Sequence, residues 1–328
     1  MNKTYILIIK RADFDFKEIL GIPLLYYHFL RARNQNSSLF LVTDDQKYID
    51  FFNNCKLEKE ISDNCYITLS NCFEKDVKFN LTKKEALKII ESKEIKEKEF
   101  IIRTNKDFYS FRNIVKEYIN FKFIENGVDI ENISTTYIGP EVNIEKGTKI
   151  TGDTHIYGKS CIGKNNLISS SYIENTNIKD DNKILNSHIV GAMIGCKNEI
   201  GPFCRMRGKV VIDNECVLGN FVEIKSSNIK DHVKIKHLSY IGDTFIEKNV
   251  NIGCGFVTAN YDGKRKYPTT IEENVFVGCN TTIVSPVTLK ENCFIAAGSV
   301  ITKDVEKNDL AIARSRQINK TNYVKQKK

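Results

Sequence analysis

From Ile138 onward, branched aliphatic residues return at every sixth position: Ile138, Ile144, Ile150, Ile156, Ile162 and Ile168. Ile173, Ile178, Ile184, Ile189, Ile194 and Ile200 continue the series in steps of five or six, and Ile271, Val277, Ile283, Leu289, Ile295 and Ile301 restore the strict period. Such spacing fits neither the helical period nor the plain alternation of a strand. It predicts a triangular coil in which each hexapeptide forms one flat side with its aliphatic residue pointing inward. Three sides close a turn, and the turns stack as parallel strands that bury one another's aliphatic ladders. Thr148, Thr154 and Ser160, two places before aliphatic residues, are small enough for the pinched corners. Gly139, Gly163, Gly201, Gly242, Gly253 and Gly278 follow or flank the ladder and predict sharp backbone turns.

The period breaks between Thr258 and Thr270, a solenoid insertion that must leave the stack as a loop and that marks a binding face. After Thr302 the repeat ends, and Asn308 to Lys328 is expected to run as an arm or short helix over the solenoid. Residues 1–124 differ in kind. Tyr5 to Ile9 reads as a strand, Pro23 to Arg33 as a helix, and Leu39 to Thr43 as a strand. Lys83 to Glu91 and Asp107 to Phe123 read as helices around a strand at Phe100 to Thr104. The expected organisation is a small α/β domain over 1–124, a β-helix over 125–304 and a C-terminal arm over 305–328, with Lys122 to Asn132 as a packed connection.

At 328 residues, 41% hydrophobic and 27% charged, the composition is that of a folded globular chain rather than a disordered one. No apolar run approaches the roughly 20 residues that span a bilayer, and Tyr5 to Ile9 is too short for a signal-peptide core, so a cytoplasmic protein without a membrane partner is expected. The ten cysteines are scattered from Cys55 to Cys293 without CxxC pairs, which favours reduced, mostly buried thiols. The net charge of +8 raises nucleic acid as a partner. Its distribution argues against that: acids and bases are interspersed, and the basic stretches Lys264-Arg265-Lys266 and Lys325, Lys327, Lys328 are not interleaved with aromatics. Small phosphorylated molecules account for the charge equally well. No metal is expected, because His28, His155, His188, His232 and His237 show no paired ligand spacing.

The segments Gly201-Pro-Phe-Cys-Arg-Met-Arg207, Gly219-Asn-Phe-Val-Glu-Ile-Lys225, His237-Leu-Ser-Tyr-Ile-Gly-Asp243, Asn251-Ile-Gly, Asn260-Tyr-Asp-Gly263 and Ala296-Ala-Gly-Ser-Val300 form an ordered set. Over roughly Asn126 to Lys320 this set resembles the acetyltransferase domain of the bifunctional glucosamine-1-phosphate acetyltransferase/N-acetylglucosamine-1-phosphate uridyltransferase family. The resemblance implies a left-handed parallel β-helix that assembles as a homotrimer, with acetyl-coenzyme A as co-substrate and an amino-sugar 1-phosphate as acceptor.

By that resemblance His237 is the general base that deprotonates the attacking ammonium, with Glu223 orienting or assisting it. Arg207, Lys225, Tyr240 and Lys266 match positions that hold the sugar phosphate and ring. Asn251, Asn260 and Tyr261 match positions around the amino sugar and acetyl group. Ala297 and Arg314 match the coenzyme A side, together with Cys254 and Cys279, which stand where the family pattern has Ala and Ser. Arg207 is followed by Gly208 where the pattern has Pro. Spacing adds an independent argument: Arg207 and Lys225 lie 18 residues apart, one full coil, so their side chains should emerge one above the other and suit a bridging anion. The glycine-lined Gly253-Cys-Gly255 segment is expected to bring backbone N–H groups to a developing oxyanion.

In that family the first strand runs into a glycine-rich phosphate loop. Here Ile9 is followed by Lys-Arg-Ala-Asp-Phe-Asp-Phe-Lys17, with no glycine before Gly21, while Gly21-Ile-Pro-Leu-Leu25 does resemble the next family segment. The N-terminal domain therefore reads as a shortened nucleotidyltransferase remnant without uridyltransferase activity or a magnesium site. Two other readings remain open from sequence: acetylation of a different amino-sugar 1-phosphate, and a non-catalytic scaffold that keeps the fold.

Overall fold

The computed structural model describes residues 105–324 and the strands Thr4–Ile8, Glu18–Ile19, Ile22–Pro23, Ser38–Val42 and Phe73–Glu74. The chain divides into two compact units, Met1–Lys116 and Glu117–Lys328.

In the first unit Thr4–Ile8 pairs in parallel with Ser38–Val42 and antiparallel with Phe73–Glu74. Both strands read from the first hydrophobic runs are therefore formed, each one residue earlier than expected. Pro23 does not open a helix; it sits opposite Glu18 in a two-stranded antiparallel pair. Proline's fixed φ suits an edge strand as well as a helical first turn. The remainder of that expected helix, the helix at Lys83 to Glu91 and the strand at Phe100 to Thr104 lie outside the described residues.

The helix Asn105–Glu125 ends as the chain turns at Gly127, whose φ of 87° is the left-handed conformation that closes helices. Its buried Asn120 donates to the carbonyls of Ile133 and Thr136 at 3.3 and 2.9 Å, tying the last helical turns to the first coil.

From Asp129–Ile130 to Leu310–Ala311 the second unit is a parallel β-solenoid, its short strands stacked coil upon coil. Every aliphatic residue of both sequence series is buried in its core. Each such side chain contributes roughly 1.5–3 kcal/mol on burial, which offsets the entropy of ordering a structure with so few helical contacts. The small corner residues also bond: fully buried Thr148, Thr154 and Ser160 donate their hydroxyls to the carbonyls of Gly163, Thr151 and Tyr157 at 2.7–2.8 Å. In the column of Thr148 the next coils place a buried asparagine ladder, Asn166, Asn182 and Asn198, in which each Oδ1 accepts from the backbone N–H of the residue one coil on.

The ladder glycines have a different reason from the one expected. Gly201 does take a left-handed φ of 95°. Gly163, Gly242, Gly253 and Gly278 are instead sites of close approach, where an added Cβ would come within 3 Å of atoms of another coil. Many left-handed corners are held by asparagine and other non-glycine residues, including Asn165, Asn175 and Asn186.

The ladder also outlasts its sequence signature. Val305 bridges to Leu289, and Leu310–Ala311 pairs with Phe294–Ile295, so a further coil follows Thr302. Backbone pairing needs no aliphatic period once a preceding coil supplies the template. Among the described residues no helix follows it.

Candidate active site

The register of the coils assembles one exposed corner from residues far apart in sequence. Asn220 lies level with His237, and the pairing of Lys234–Ile235 with Asn251–Ile252 carries on to set His237 level with Cys254. Pairing of Asn251–Ile252 with Phe276–Val277, and of these with Phe294–Ile295, sets Cys254 level with Cys279 and Cys279 level with Ala297. Backbone bonds between neighbouring corners fix the column: Gly255 N–H to Leu238 O at 3.0 Å, Asn280 N–H to Cys254 O at 2.7 Å, and Gly298 N–H to Cys279 O at 2.8 Å. The aliphatic stem of Arg314 lies next to Gly298, with Cδ 3.8 Å from where a Cβ would stand. His237, Cys279, Ala297 and Arg314 are exposed and Cys254 is half-buried, so the corner faces solvent.

His237 Nδ1 lies 3.2 Å from Asn220 Oδ1. The amide oxygen is an acceptor, so it suits the tautomer of the neutral ring that donates from Nδ1 and leaves the Nε2 lone pair free.

A second cluster sits on the adjoining face. Arg207 and Lys225 are register partners on successive coils. Each has its own carboxylate: Arg207 Nε donates to Glu223 Oε1 at 2.7 Å, and Lys225 Nζ lies 3.3 Å from Asp243 Oδ2. Asp243 Oδ2 also accepts from Asn260 Nδ2 at 2.7 Å, and Asn260 is buried. Tyr240 closes the group from above Gly242: a Cβ on that glycine would meet the Tyr240 hydroxyl at 2.6 Å and Asn260 Nδ2 at 2.7 Å. Only glycine lets both side chains cross this point.

Lys266 adds a third cation. Its hydrogen-bonding contact with Lys225, its partial desolvation, and the positive charges of Lys225 and Arg207 pull its ammonium below the usual lysine range. Lys225 moves the other way, raised by the same contact with Lys266 and then by Asp243. The two shifts describe one arrangement: the proton stays on Lys225, whose Asp243 partner stabilises it, and Lys266 is the group made easier to neutralise.

The insertion places Lys266 there. It leaves the stack after Val257–Ala259 and re-enters at Thr269–Ile271, forming a hairpin in which Tyr261 bridges antiparallel to Lys266. Asp262 holds the tip: its Oδ1 accepts from the N–H groups of Lys264 and Arg265 at 2.7 and 2.6 Å, and its Oδ2 from the Tyr267 hydroxyl at 2.8 Å. These donors, Arg265 first, hold the Asp262 carboxyl below the usual range, while donation to it pushes the Tyr267 phenol up.

Of the residues singled out in the sequence, the structure thus gathers Arg207, Lys225, Tyr240, Asn260 and Lys266 into one group. It gathers His237, Cys254, Cys279, Ala297 and Arg314 into another. Tyr261 is exposed on the hairpin, its hydroxyl donating to Gly263 O at 2.6 Å. Asn251 stands apart from the cation cluster, on the strand face before the His237 corner, level with Lys234 and Phe276. Two expectations change. Glu223 is level with Tyr240 and bonded to Arg207, whereas the ring of His237 is held by Asn220. The N–H groups of Gly253 and Gly255 are already committed to the carbonyls of Val277 and Leu238. Asn220, Gly242, Asp243 and Asp262 were given no place in the site from sequence, although all four lie inside the quoted motifs.

Among the described residues no group of His, Cys, Asp and Glu is arranged to hold a metal ion, and no helix is long and apolar enough to cross a membrane.

Comparison with known proteins agrees with the coil architecture. The family model described as Bacterial transferase hexapeptide (six repeats) matches residues 268–303. The Bifunctional protein GlmU of Staphylococcus haemolyticus (strain JCSC1435) is 42% identical over 212 residues, covering 64% of this chain and 47% of that protein. The protein of the same name from Geobacillus sp. (strain WCH70) is 45% identical over 212 residues, covering 64% of this chain and 46% of that protein. The chain therefore spans about half the length of the curated relatives it matches, through its C-terminal part. Among solved structures, the Francisella novicida UDP-N-acetylglucosamine acyltransferase covers 56% of this chain and 66% of its own at 17% identity and a TM-score of 0.36. The C-terminal part of this chain is a hexapeptide-repeat β-solenoid whose sequence is similar to the matched half of the bifunctional GlmU proteins.

Proposed function

We propose that this chain transfers the acetyl group of acetyl-coenzyme A to the amine of glucosamine 1-phosphate, releasing coenzyme A and N-acetylglucosamine 1-phosphate. The observation that carries the reading is the convergence of Arg207, Lys225 and Lys266 on one point of the surface. Glu223 and Asp243 balance two of these cations, so the cluster keeps one positive charge in excess, on Lys266, and a sugar phosphate is an anion that suits it. Release of Glu223 or Asp243 from its partner would free Arg207 or Lys225 to bond the phosphate oxygens.

His237 Nε2 takes a proton from the acceptor's ammonium, because only the free amine is a nucleophile. The amine attacks the thioester carbon, and the tetrahedral intermediate collapses by expelling the coenzyme thiolate. With the flanking glycine N–H groups committed, the N–H of Cys254 is the donor of that segment for the developing oxyanion. Cys254, Cys279, Ala297 and Arg314 line the coenzyme side, Arg314 meeting a coenzyme phosphate. Asn251, Asn260, Tyr261 and Tyr240 contact the sugar and acetyl group. Glu223 acts on the phosphate side through Arg207 rather than on His237.

Assembly as a homotrimer and a cytoplasmic location belong to the same proposal. Phe203, Phe221 and Leu238, each more than half exposed on successive coils at one corner, offer an apolar strip for a neighbouring subunit, and the two phenyl rings stack at 5.3 Å. No uridyltransferase activity is proposed, on the missing glycine-rich loop after Ile9.

The test is thiol release from acetyl-coenzyme A with glucosamine 1-phosphate, set against glucosamine 6-phosphate and against His237→Ala. Turnover confined to the 1-phosphate and lost in the variant supports the reading; equal turnover of both phosphates or an active His237→Ala overturns it. Formation of a uridine diphosphate sugar from the uridine triphosphate would refute the second half of the proposal.

A further inference from the structure

Among the described cysteines, Cys204, Cys216 and Cys293 are buried, and burial pushes their thiols up to about 12, about 11 and about 11 respectively. They stay protonated and unreactive. Cys161, Cys196, Cys254 and Cys279 reach the surface. Cys161 stands level with Asn143 and Asn177, and Cys196 beside Asn214, so neither has a thiol neighbour in its column. Cys254 and Cys279 differ, because the register sets them level on adjacent coils.

Adjacent parallel strands lie ~4.8 Å apart. That separation falls within the window of about 4.4–6.8 Å between Cα atoms that a disulfide requires. The corner is held close by the 2.7 Å bond from Asn280 N–H to Cys254 O, and a Cβ on Gly253 would stand 2.6 Å from Cys279 N. Both residues stand at the same corner of the solenoid and both reach the surface.

We infer that Cys254 and Cys279 form a thiol pair that oxidises reversibly to a disulfide bridging two coils. A low-molecular-weight disulfide is the oxidant. The thiolate of Cys279, the more exposed of the two, attacks one of its sulfurs and releases one small thiol; Cys254 then attacks the mixed disulfide and releases the second. The protein loses two electrons and two protons, and the small disulfide gains them as two thiols. The closed loop runs from residue 254 to residue 279 and contains the hairpin that carries Asn260, Tyr261 and Lys266.

A functional consequence follows that rests on the proposed coenzyme position at this corner. The bridge would occupy the column between His237 and Ala297, where the thioester end of the coenzyme must pass. Oxidation then abolishes coenzyme binding, and reduction restores it.

The experiment treats the full-length chain with oxidised glutathione, digests it without reductant and identifies cross-linked peptides by mass spectrometry. The expected result is a Cys254–Cys279 linked peptide, lighter by two hydrogens than the separate pair, removed by dithiothreitol and retained when Cys161→Ser and Cys196→Ser are combined. Phenylarsine oxide, which captures close thiol pairs, should prevent its formation. Stable single glutathione adducts on Cys279, or free alkylation of both thiols after oxidation, would overturn the inference. Coenzyme A binding is measured on the same samples. If the cross-link forms but the reduced protein does not bind coenzyme A, the disulfide stands and the proposed function falls.

Discussion

Asn220 and His237, one coil apart, are joined by a 3.2 Å contact between Asn220 Oδ1 and His237 Nδ1. The contact favours the neutral tautomer that donates from Nδ1 and presents Nε2 as the base. Asn220→Ala removes the tautomer preference without touching substrate. We expect kcat to fall about tenfold, the worth of roughly 1.4 kcal/mol in a transition-state hydrogen-bond network, with KM for both substrates little changed. Asn220→Asp, which keeps an oxygen acceptor at the same place, should recover most of the lost kcat. An Asn220→Asp variant no more active than Asn220→Ala would show that the contact does not orient His237.

Asp243 is the hub of the cation cluster, accepting from Lys225 and from buried Asn260 through the same oxygen. Asp243→Ala leaves both without a partner. A hydrogen bond to a charged group is worth about 1.5–3 kcal/mol, so thermal unfolding should shift down by an amount of that order. KM for the sugar phosphate should change more than KM for acetyl-coenzyme A. Asp243→Asn, which keeps an acceptor for Asn260, should recover most of the stability but not the orientation of Lys225.

Lys266 gives the site an alkaline limit. Its folded pKa lies below the ordinary lysine value because Lys225 and Arg207 crowd it, so the charged form is disfavoured by the fold. The sign follows: phosphate affinity is full while Lys266 is protonated and declines as pH rises through its depressed pKa, earlier than for an unperturbed lysine. Calorimetric titration with glucosamine 1-phosphate across the alkaline range should reveal that decline, and Lys266→Arg should move it to higher pH. An identical profile in the variant would remove Lys266 from the site.

The asparagine ladder predicts a large cost for a small change. Asn182 Nδ2 lies within bonding distance of Asn166 Oδ1 and the carbonyls of Lys179, Asp180 and Gly195, and its Oδ1 accepts from Asn198. Asn182→Ala strands several buried groups at about 1–3 kcal/mol each. Loss of about 3 kcal/mol or more in chemical denaturation is the expected outcome, with acetyl transfer intact in the fraction that remains folded. A cost under about 0.5 kcal/mol, typical of surface positions, would mean the ladder is not structural.

Much of this architecture can be read from side-chain spacing. Ile138 through Ile200 and Ile271 through Ile301 announce an inward aliphatic ladder, and the ladder they predict is the buried core. The insertion at 258–270 is legible for the same reason, because a solenoid has nowhere else to put unpaired residues. The 18-residue separation of Arg207 and Lys225 is likewise legible as one full coil, and the two are register partners. The asparagine ladder was not legible: a buried asparagine pattern looks like a polar turn until its bonds to the next coil are seen. Nor did the loss of the period after Thr302 betray the extra coil, since pairing there rests on backbone groups that every residue shares.

The sequence by itself determined the kind of fold and the small set of residues from which a site could be built. Tertiary structure decided who meets whom. The coil step varies, from 18 residues between Arg205 and Glu223 to 17 between Asn220 and His237 and 25 between Asn251 and Phe276. Each change of step slides one column of side chains against the next. That is why Glu223 reaches Arg207 rather than His237, why Asp243 gathers Lys225 and Asn260, and why Cys254 and Cys279 stand level across a hairpin that separates them in the chain. Hydrophobic period fixes only which residues face inward; the outward columns, where the chemistry lies, depend on the backbone hydrogen bonds that set each coil upon the last.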